Sequence, residues 1–164
     1  GKYLPYEESA HVPMLIRAPG IPKNKESNTL AFSVDLAPTL LRLTETQATA
    51  EVDGVSLVPD LRNPERTRKR ALLLEGYSGD SEKVHFYAKS NNASVADYFG
   101  VVAGRWKFLS YGYGGKELYD LHADPYETEN LVHRKGRVAR KLHRLTRKLS
   151  RCAGAGCRKL VFGR

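Results

Sequence analysis

The first thirteen residues, GKYLPYEESAHVP, carry an ammonium at Lys2, phenols at Tyr3 and Tyr6, adjacent carboxylates at Glu7 and Glu8, and an imidazole at His11. Carboxylates this close suggest a glycosidase pair. Neighbouring residues on an extended segment point to opposite faces, however, so the two cannot flank one scissile bond. One is expected to bind backbone or a cation inside the protein and the other to face solvent. The tyrosines can stack on a sugar ring or simply pack beside a strand.

Three other stretches hold chemistry-bearing residues. DLHADPYETEN clusters Asp120, Asp124, Glu127 and Glu129, but it lacks the glycine and glutamate positions of an EF-hand loop, so turn and capping roles are expected. GYGGK, from Gly112 to Lys116, is glycine-rich without the GxxxxGK[ST] pattern of a phosphate loop. Cys152 and Cys157, in CAGAGC, have neither CxxC redox spacing nor the paired knuckles of a zinc site. The intervening Gly and Ala allow a small disulfide loop, the alternative being two free thiols in a frayed tail. A disulfide implies an oxidising compartment.

The elements that must position these residues follow from the apolar pattern. Val12 to Gly20 reads as a buried strand closed by Pro-Gly. SVDLAPTLLRLT reads as a helix with Asp35 as its cap, Pro38 in its first turn and an apolar face of Leu36, Leu40, Leu41 and Leu43. Asp53 to Arg70 looks like a surface excursion leading into the strand ALLLEGY. Ser78 to Asp97 is polar and irregular. Two apolar runs broken by Ala-Gly-Arg, from Tyr98 onward, predict an antiparallel hairpin with a further short strand after it. A helix starts near Gly136, with Val138, Leu142, Leu145 and Leu149 on its core face and basic residues elsewhere.

At 164 residues, with 41% hydrophobic and 27% charged residues, the chain suits a soluble globular domain with a real core. No apolar run approaches the ~18 residues that span a bilayer. The formal net charge is +9, yet its source is local: residues 134–164 hold twelve Lys/Arg and no Asp/Glu, leaving 15 basic against 18 acidic residues in the rest. Such a helix face is ordinarily solvated, so neither nucleic acid nor membrane is expected as a partner.

Three motifs in order carry a resemblance. GKYLPYEESAHVPMLIRAPGI resembles the type I sulfatase segment GKxxxYEExxRVPLIVRGPGI, SVDLAPTLLRLT resembles VDLAPTLLDLAG, and GRWKFLSYGYGGKELYDLHADPYETENL is similar to that family's GRYKYIxxxxxxELYDLxxDPxExxNL ending. The closing CAGAGCR is similar to bacterial members with N-acetylglucosamine-6-sulfatase-like activity. The resemblance implies the C-terminal part of an alkaline-phosphatase-like α/β/α sandwich with a small antiparallel sheet packed by a C-terminal helix. Residues 1–75 would end the catalytic α/β domain, and 76–164 would form a C-terminal subdomain. It further implies a formylglycine nucleophile and calcium ligands, both outside this stretch, in the missing N-terminal part of the same chain, so that the stretch alone is expected to be inactive.

In this family the lysine of GK contacts the sulfate, which puts Lys2 at the substrate. An ammonium can bridge a non-bridging oxygen and the leaving oxygen at once. His11 replaces the usual arginine. Either it is a structural histidine bonded to Glu7 or Glu8, or it touches substrate. The implied substrate is a sulfated small molecule or glycan, and the implied location is secreted, periplasmic or cell-surface. Two other readings stay open, a phosphatase or phosphonate hydrolase of the same superfamily and a basic polyanion-binding module. If the complete protein is exported, thiol titration of denatured, unreduced protein should find neither Cys152 nor Cys157 free, and finding both free would remove the bridge.

Overall fold

The computed structural model describes residues 4–66, 68–77 and 97–162. It divides into two compact units, one of Gly1–Pro13 with Leu73–Ser150 and the other of Met14–Leu72 with Arg151–Arg164.

The first unit is built on a four-stranded sheet of order β1-β2-β3-β4, with β1 at Ala71–Gly76, β2 at Tyr98–Ala103, β3 at Trp106–Tyr111 and β4 at Lys116–Asp120. The hairpin expected around Ala-Gly-Arg is β2–β3, antiparallel, with Ala103 opposite Trp106. Its two-residue turn places Gly104 at φ +60°. A positive φ at the first central position matches the twist of flanking strands, which is why glycine sits there. β4 pairs antiparallel with β3, Phe108 lying opposite Leu118.

Alternation along these strands gives the sheet two covered faces. Val101, Phe108 and Leu118 share one face, and each is fully buried. The helix at Gly136–Leu149 packs against β2 and β3, its His143 ring stacked on Phe108. Two short helices precede it in the chain's other unit, and one turn of helix at Glu7–Ala10 precedes those. In chain order the helices are therefore α1 (Glu7–Ala10), α2 (Leu36–Leu43), α3 (Val58–Arg62), α4 (Gly136–Leu149) and α5 (Gly154–Val161).

The buried stripe of α4 is Ala139, Leu142, Thr146 and Leu149, with Val138 and Leu145 half-buried beside it. Thr146 takes a core position because its hydroxyl donates to the Leu142 carbonyl at 3.0 Å, which satisfies it inside the helix. The other sheet face carries Lys107, Leu109, Tyr111 and Tyr119, and the opening segment lies over it.

The second unit is organised by Asp35, which is completely buried. Its carboxylate accepts two hydrogen bonds from Arg70, at 2.7 and 3.0 Å, and one each from the backbone amides of Phe32 and Val55, both at 2.9 Å. The capping role expected of Asp35 is thus corrected: it makes no cap bond to α2. Its side chain closes back on the Phe32 amide ahead of the 3₁₀ turn Ser33–Asp35 that precedes α2, and shares its oxygens with the Arg70 fork. The Thr39 hydroxyl donates to the Asp35 carbonyl at 2.6 Å and accepts from the Leu57 amide at 2.9 Å, tying α2 to the approach to α3.

Three further expectations are corrected here. Val12 to Gly20 forms no strand, and Leu15 is 95% exposed, because an apolar run becomes a strand only beside a hydrogen-bonding partner. The leucine face of α2 is not its buried face. Thr39 is buried instead, while Leu36 and Leu40 are exposed. The Asp53 to Arg70 segment is no surface excursion, since Leu57, Val58 and Asp60 are buried and Asp60 pairs with Arg68.

The tail returns as α5, its first amides donating to Asp53 and Glu51 and its Arg158 to the Val52 carbonyl. Cys152 and Cys157 are joined by a disulfide across its first turn. Because removing one partner of a buried pair leaves an uncompensated charge, Asp35→Ala should cost about 3 kcal/mol or more. Urea denaturation of the complete protein measures this, and an unchanged midpoint would show that Arg70 finds another partner.

Candidate active-site segment

The opening segment is held by consecutive side chains. Pro5 is fully buried. The Tyr6 ring meets Tyr119 edge-on, 6.2 Å between centroids, and its hydroxyl donates to the Glu117 carboxylate at 3.4 Å. Tyr111 donates to the same carboxylate at 2.9 Å. Burial first, then the Glu117 charge, push the Tyr6, Tyr111 and Tyr119 hydroxyls above the ordinary phenol range, so they act as fixed donors. Tyr6 is therefore a packing residue.

Glu7, the next residue, enters an ion-pair cluster. Lys107 on β3 is wholly buried and points to the same face as Leu109 and Tyr111. Its ammonium donates to Glu7 Oε1 at 3.0 Å and to Glu127 Oε2 at 3.2 Å, with Glu127 Oε1 also 3.0 Å away. The Glu7 amide donates to Glu127 Oε2 at 2.6 Å, closing the triangle. Glu127 sits on a left-handed backbone, φ 54°, at the end of the turn after β4. Such a conformation is costly for a side chain with a Cβ and persists where surrounding contacts fix it. Glu127, read from the sequence as a turn or cap residue, is in fact a buried counter-charge.

Glu8 faces solvent and Glu7 binds an internal cation, as the opposed-face argument requires, although the two lie in the helical turn α1 rather than on an extended segment. His11 follows four residues after Glu7 and sets Nδ1 3.2 Å from Glu7 Oε2. Its side chain is 79% exposed. The exposed imidazole thus stands beside the carboxylate that pairs with the buried Lys107 ammonium. Lys2 and Tyr3 lie outside the described residues.

Lys107 was legible only in part: in WKFLSY it has the parity of Leu109 and Tyr111, which marks it as inward-facing, but its partners lie far away in sequence. Elsewhere, Asp124 accepts from the Thr128 and Glu129 amides, which hold its carboxyl below the usual range. Arg105 does the same for Asp120. Among the described residues, no group of three or more His, Cys, Asp or Glu side chains could hold a metal ion.

Comparison with known proteins assigns the family. The model for N-sulphoglucosamine sulphohydrolase, C-terminal, matches residues 1–153. The chain belongs to that sulfatase C-terminal family. Arylsulfatase K of Xenopus laevis is 30% identical over 148 residues, 88% of this chain and 26% of the relative. An N-acetylglucosamine-6-O-sulfatase of Bacteroides thetaiotaomicron is 29% identical over 133 residues, 77% of this chain and 22% of the relative.

A structure solved in complex with its substrate, D-glucosamine-2-N,6-O-disulfate, superposes with a TM-score of 0.56 at 26% identity, over 71% of this chain and 23% of that one. A 2-O GAG sulfatase gives 0.54 at 25% identity, over 76% and 28%. The mixed α/β fold is that of the C-terminal region of alkaline-phosphatase-like sulfatases. The chain spans about a quarter of the length of the curated relatives it matches.

Removing the Lys107 charge would leave Glu7 and Glu127 facing one another, so Lys107→Met should destabilise the complete protein by about 3 to 5 kcal/mol. Glu127 also has a pH signature. Burial raises its carboxyl above the ordinary value, overriding the Glu7 amide and Lys107, which lower it. The native state therefore binds that proton more tightly than the unfolded chain does. The linked stability is fully present below the unfolded pKa of about 4.3 and is lost as pH rises through the folded value. Glu127→Gln should flatten that part of the stability profile, and an unchanged slope would remove Glu127 as its source.

Proposed function

We propose that the complete protein is a sulfuric ester hydrolase acting on sulfated sugars. The observation that carries this reading is the sulfatase family match across residues 1–153, which includes the GK opening as well as the ELYDL ending. Sugar as the substrate class is supported by two relatives, one named as an N-acetylglucosamine-6-O-sulfatase and one solved with a sulfated glucosamine.

Lys2 is the residue of this chain assigned to the chemistry. Cleavage of a sulfate ester moves negative charge from the sulfuryl group onto the departing oxygen, and a fixed ammonium stabilises that charge more in the transition state than in the ground state. The anchors three to five residues downstream serve precision: Pro5, Tyr6 and Glu7 fix their segment to the sheet. His11, whose Nδ1 lies 3.2 Å from Glu7 Oε2, is assigned a positioning role in that segment.

The nucleophile is assigned to a formylglycine outside this stretch, following the resemblance. Calcium, when bound, would neutralise sulfate charge. The described residues offer it no donor set, and the chemistry assigned to this chain uses none. An exported location is supported by the Cys152–Cys157 disulfide.

In the complete enzyme, Lys2→Ala should lower kcat by about 100-fold or more, the scale of losing one transition-state donor. Lys2→Arg should not restore it, because the planar fork cannot replace a point ammonium. Steady-state turnover of an aryl sulfate and of glucosamine-6-sulfate measures both, and near-native turnover by Lys2→Ala would take Lys2 out of the site.

A further inference from the structure

On the α4 side of the sheet unit, a cleft of about 650 Å³ opens between the first half of α4 and the β3–β4 connection. That volume is in the range of small-ligand sites. Its ionisable lining residues are Lys116, His133, Arg140 and His143, and no acidic residue lines it. Among the described residues, neither Lys116 nor Arg140 makes an ion pair, whereas the nearby Glu129 is engaged by Arg134. The cleft is a concentration of uncompensated positive charge inside a concave wall, where field lines are focused.

The wall is made of unusual material. Part of it is the GYGGK stretch, where Gly114 adopts φ +92° and a Cβ added there would stand in open space. Gly115, whose Cβ position the Tyr113 ring occupies, and Gly136, beside Arg140, also line the cleft. The other part is the ring stack of His143 on Phe108, 5.6 Å between centroids. Burial chiefly, and then the charges of Lys116 and Arg147, hold the His143 imidazole below its ordinary pKa. A bound anion would offset the second of these.

We propose that this cleft binds a sulfate-bearing sugar unit of a glycan substrate beyond the unit being hydrolysed, through Lys116 and Arg140. The assignment rests on the sulfated-sugar reading given above. A sulfated glycan repeats its charge along the chain, so a unit several sugars from the one being cut can be held on the α4 face of the sheet. Contacts remote from the reacting bond then supply binding energy for orienting it. A discrete cleft of sugar size, walled by the His143 ring, favours this over the extended backbone tracking that nucleic acid requires.

The test uses the complete protein and a heparin-derived hexasaccharide, with Kd read by calorimetry at fixed salt. Lys116→Ala/Arg140→Ala should weaken binding by about 10-fold or more, since each loses a charge-assisted contact. Turnover of a small aryl sulfate should stay unchanged. Arg137→Ala/Lys141→Ala, two exposed basic residues of α4 that do not line the cleft, should change Kd by less than about 3-fold.

Independently, the His143 ring should titrate at higher pH with the hexasaccharide bound, followed by NMR. Equal weakening by both double variants would overturn the proposal in favour of diffuse attraction. So would an unmoved His143 titration, or displacement by a DNA duplex at matched charge with equal affinity. A protein that binds the hexasaccharide through the cleft but hydrolyses no sulfate ester would leave the cleft standing and overturn the catalytic reading alone.

Discussion

Lys107 places a full positive charge on the inner face of a β-strand, beside Leu109 and Tyr111, where water cannot reach it. The desolvation cost of such a charge is several kcal/mol, so the fold exists only in a form that brings carboxylates to it. One comes from the turn after β4 and the other from the chain's opening, and each must adopt a particular backbone to arrive. Glu127 does so from a left-handed conformation, and Glu7 from a single turn of helix. The position of the opening segment is therefore a by-product of neutralising one lysine, and the residues flanking Glu7 inherit that position.

The second unit solves the same problem with Asp35 and Arg70, but there the pair gathers loop backbone rather than the opening segment. Two loop amides converge on the Asp35 carboxylate, while the Thr39 hydroxyl, which accepts from the Leu57 amide on the approach to α3, donates to the Asp35 backbone carbonyl. Gly54 is a glycine for the same reason: a Cβ there would lie 1.9 Å from the Val34 carbonyl oxygen. In both units a buried ion pair fixes the register of irregular chain where no regular hydrogen-bond ladder could.

The regular elements were legible because their signals are local. The β2–β3 hairpin follows from a glycine between two apolar runs, and α4 from a 3.6-residue stripe beside a basic face. That one of Glu7 and Glu8 turns inward and the other outward agrees with the reading of their adjacency, though that reading assumed an extended backbone and the pair lies in a helical turn. What escaped is non-local or depends on partners. Asp35 and Glu127 look like capping and turn residues because acids usually serve there, and nothing near them in sequence announces Arg70 or Lys107. Val12 to Leu15 and the leucines of α2 have the composition of buried residues, yet composition records what a segment can bury, not whether a partner is present. Basic residues that seemed a uniform solvated face also proved unequal, since Arg140 and His143 line a cleft that Arg137 and Lys141 do not.

The tie between Glu7 and Lys107 spans 100 residues, and that between Glu7 and Glu127 spans 120. Contacts so distant along the chain close large loops, and such closures come late and slowly relative to hairpins and helices. The sheet can assemble β2 and β3 on its own timescale, but its lysine stays without its full complement of counter-charge until the distant Glu7 segment is captured. During synthesis Glu7 leaves the ribosome about 100 residues ahead of Lys107 and is seated only after the turn at Glu127 has followed. Order of birth and order of docking are thus reversed for the very segment that carries the assigned chemistry, and the competence of that segment becomes a late checkpoint of folding.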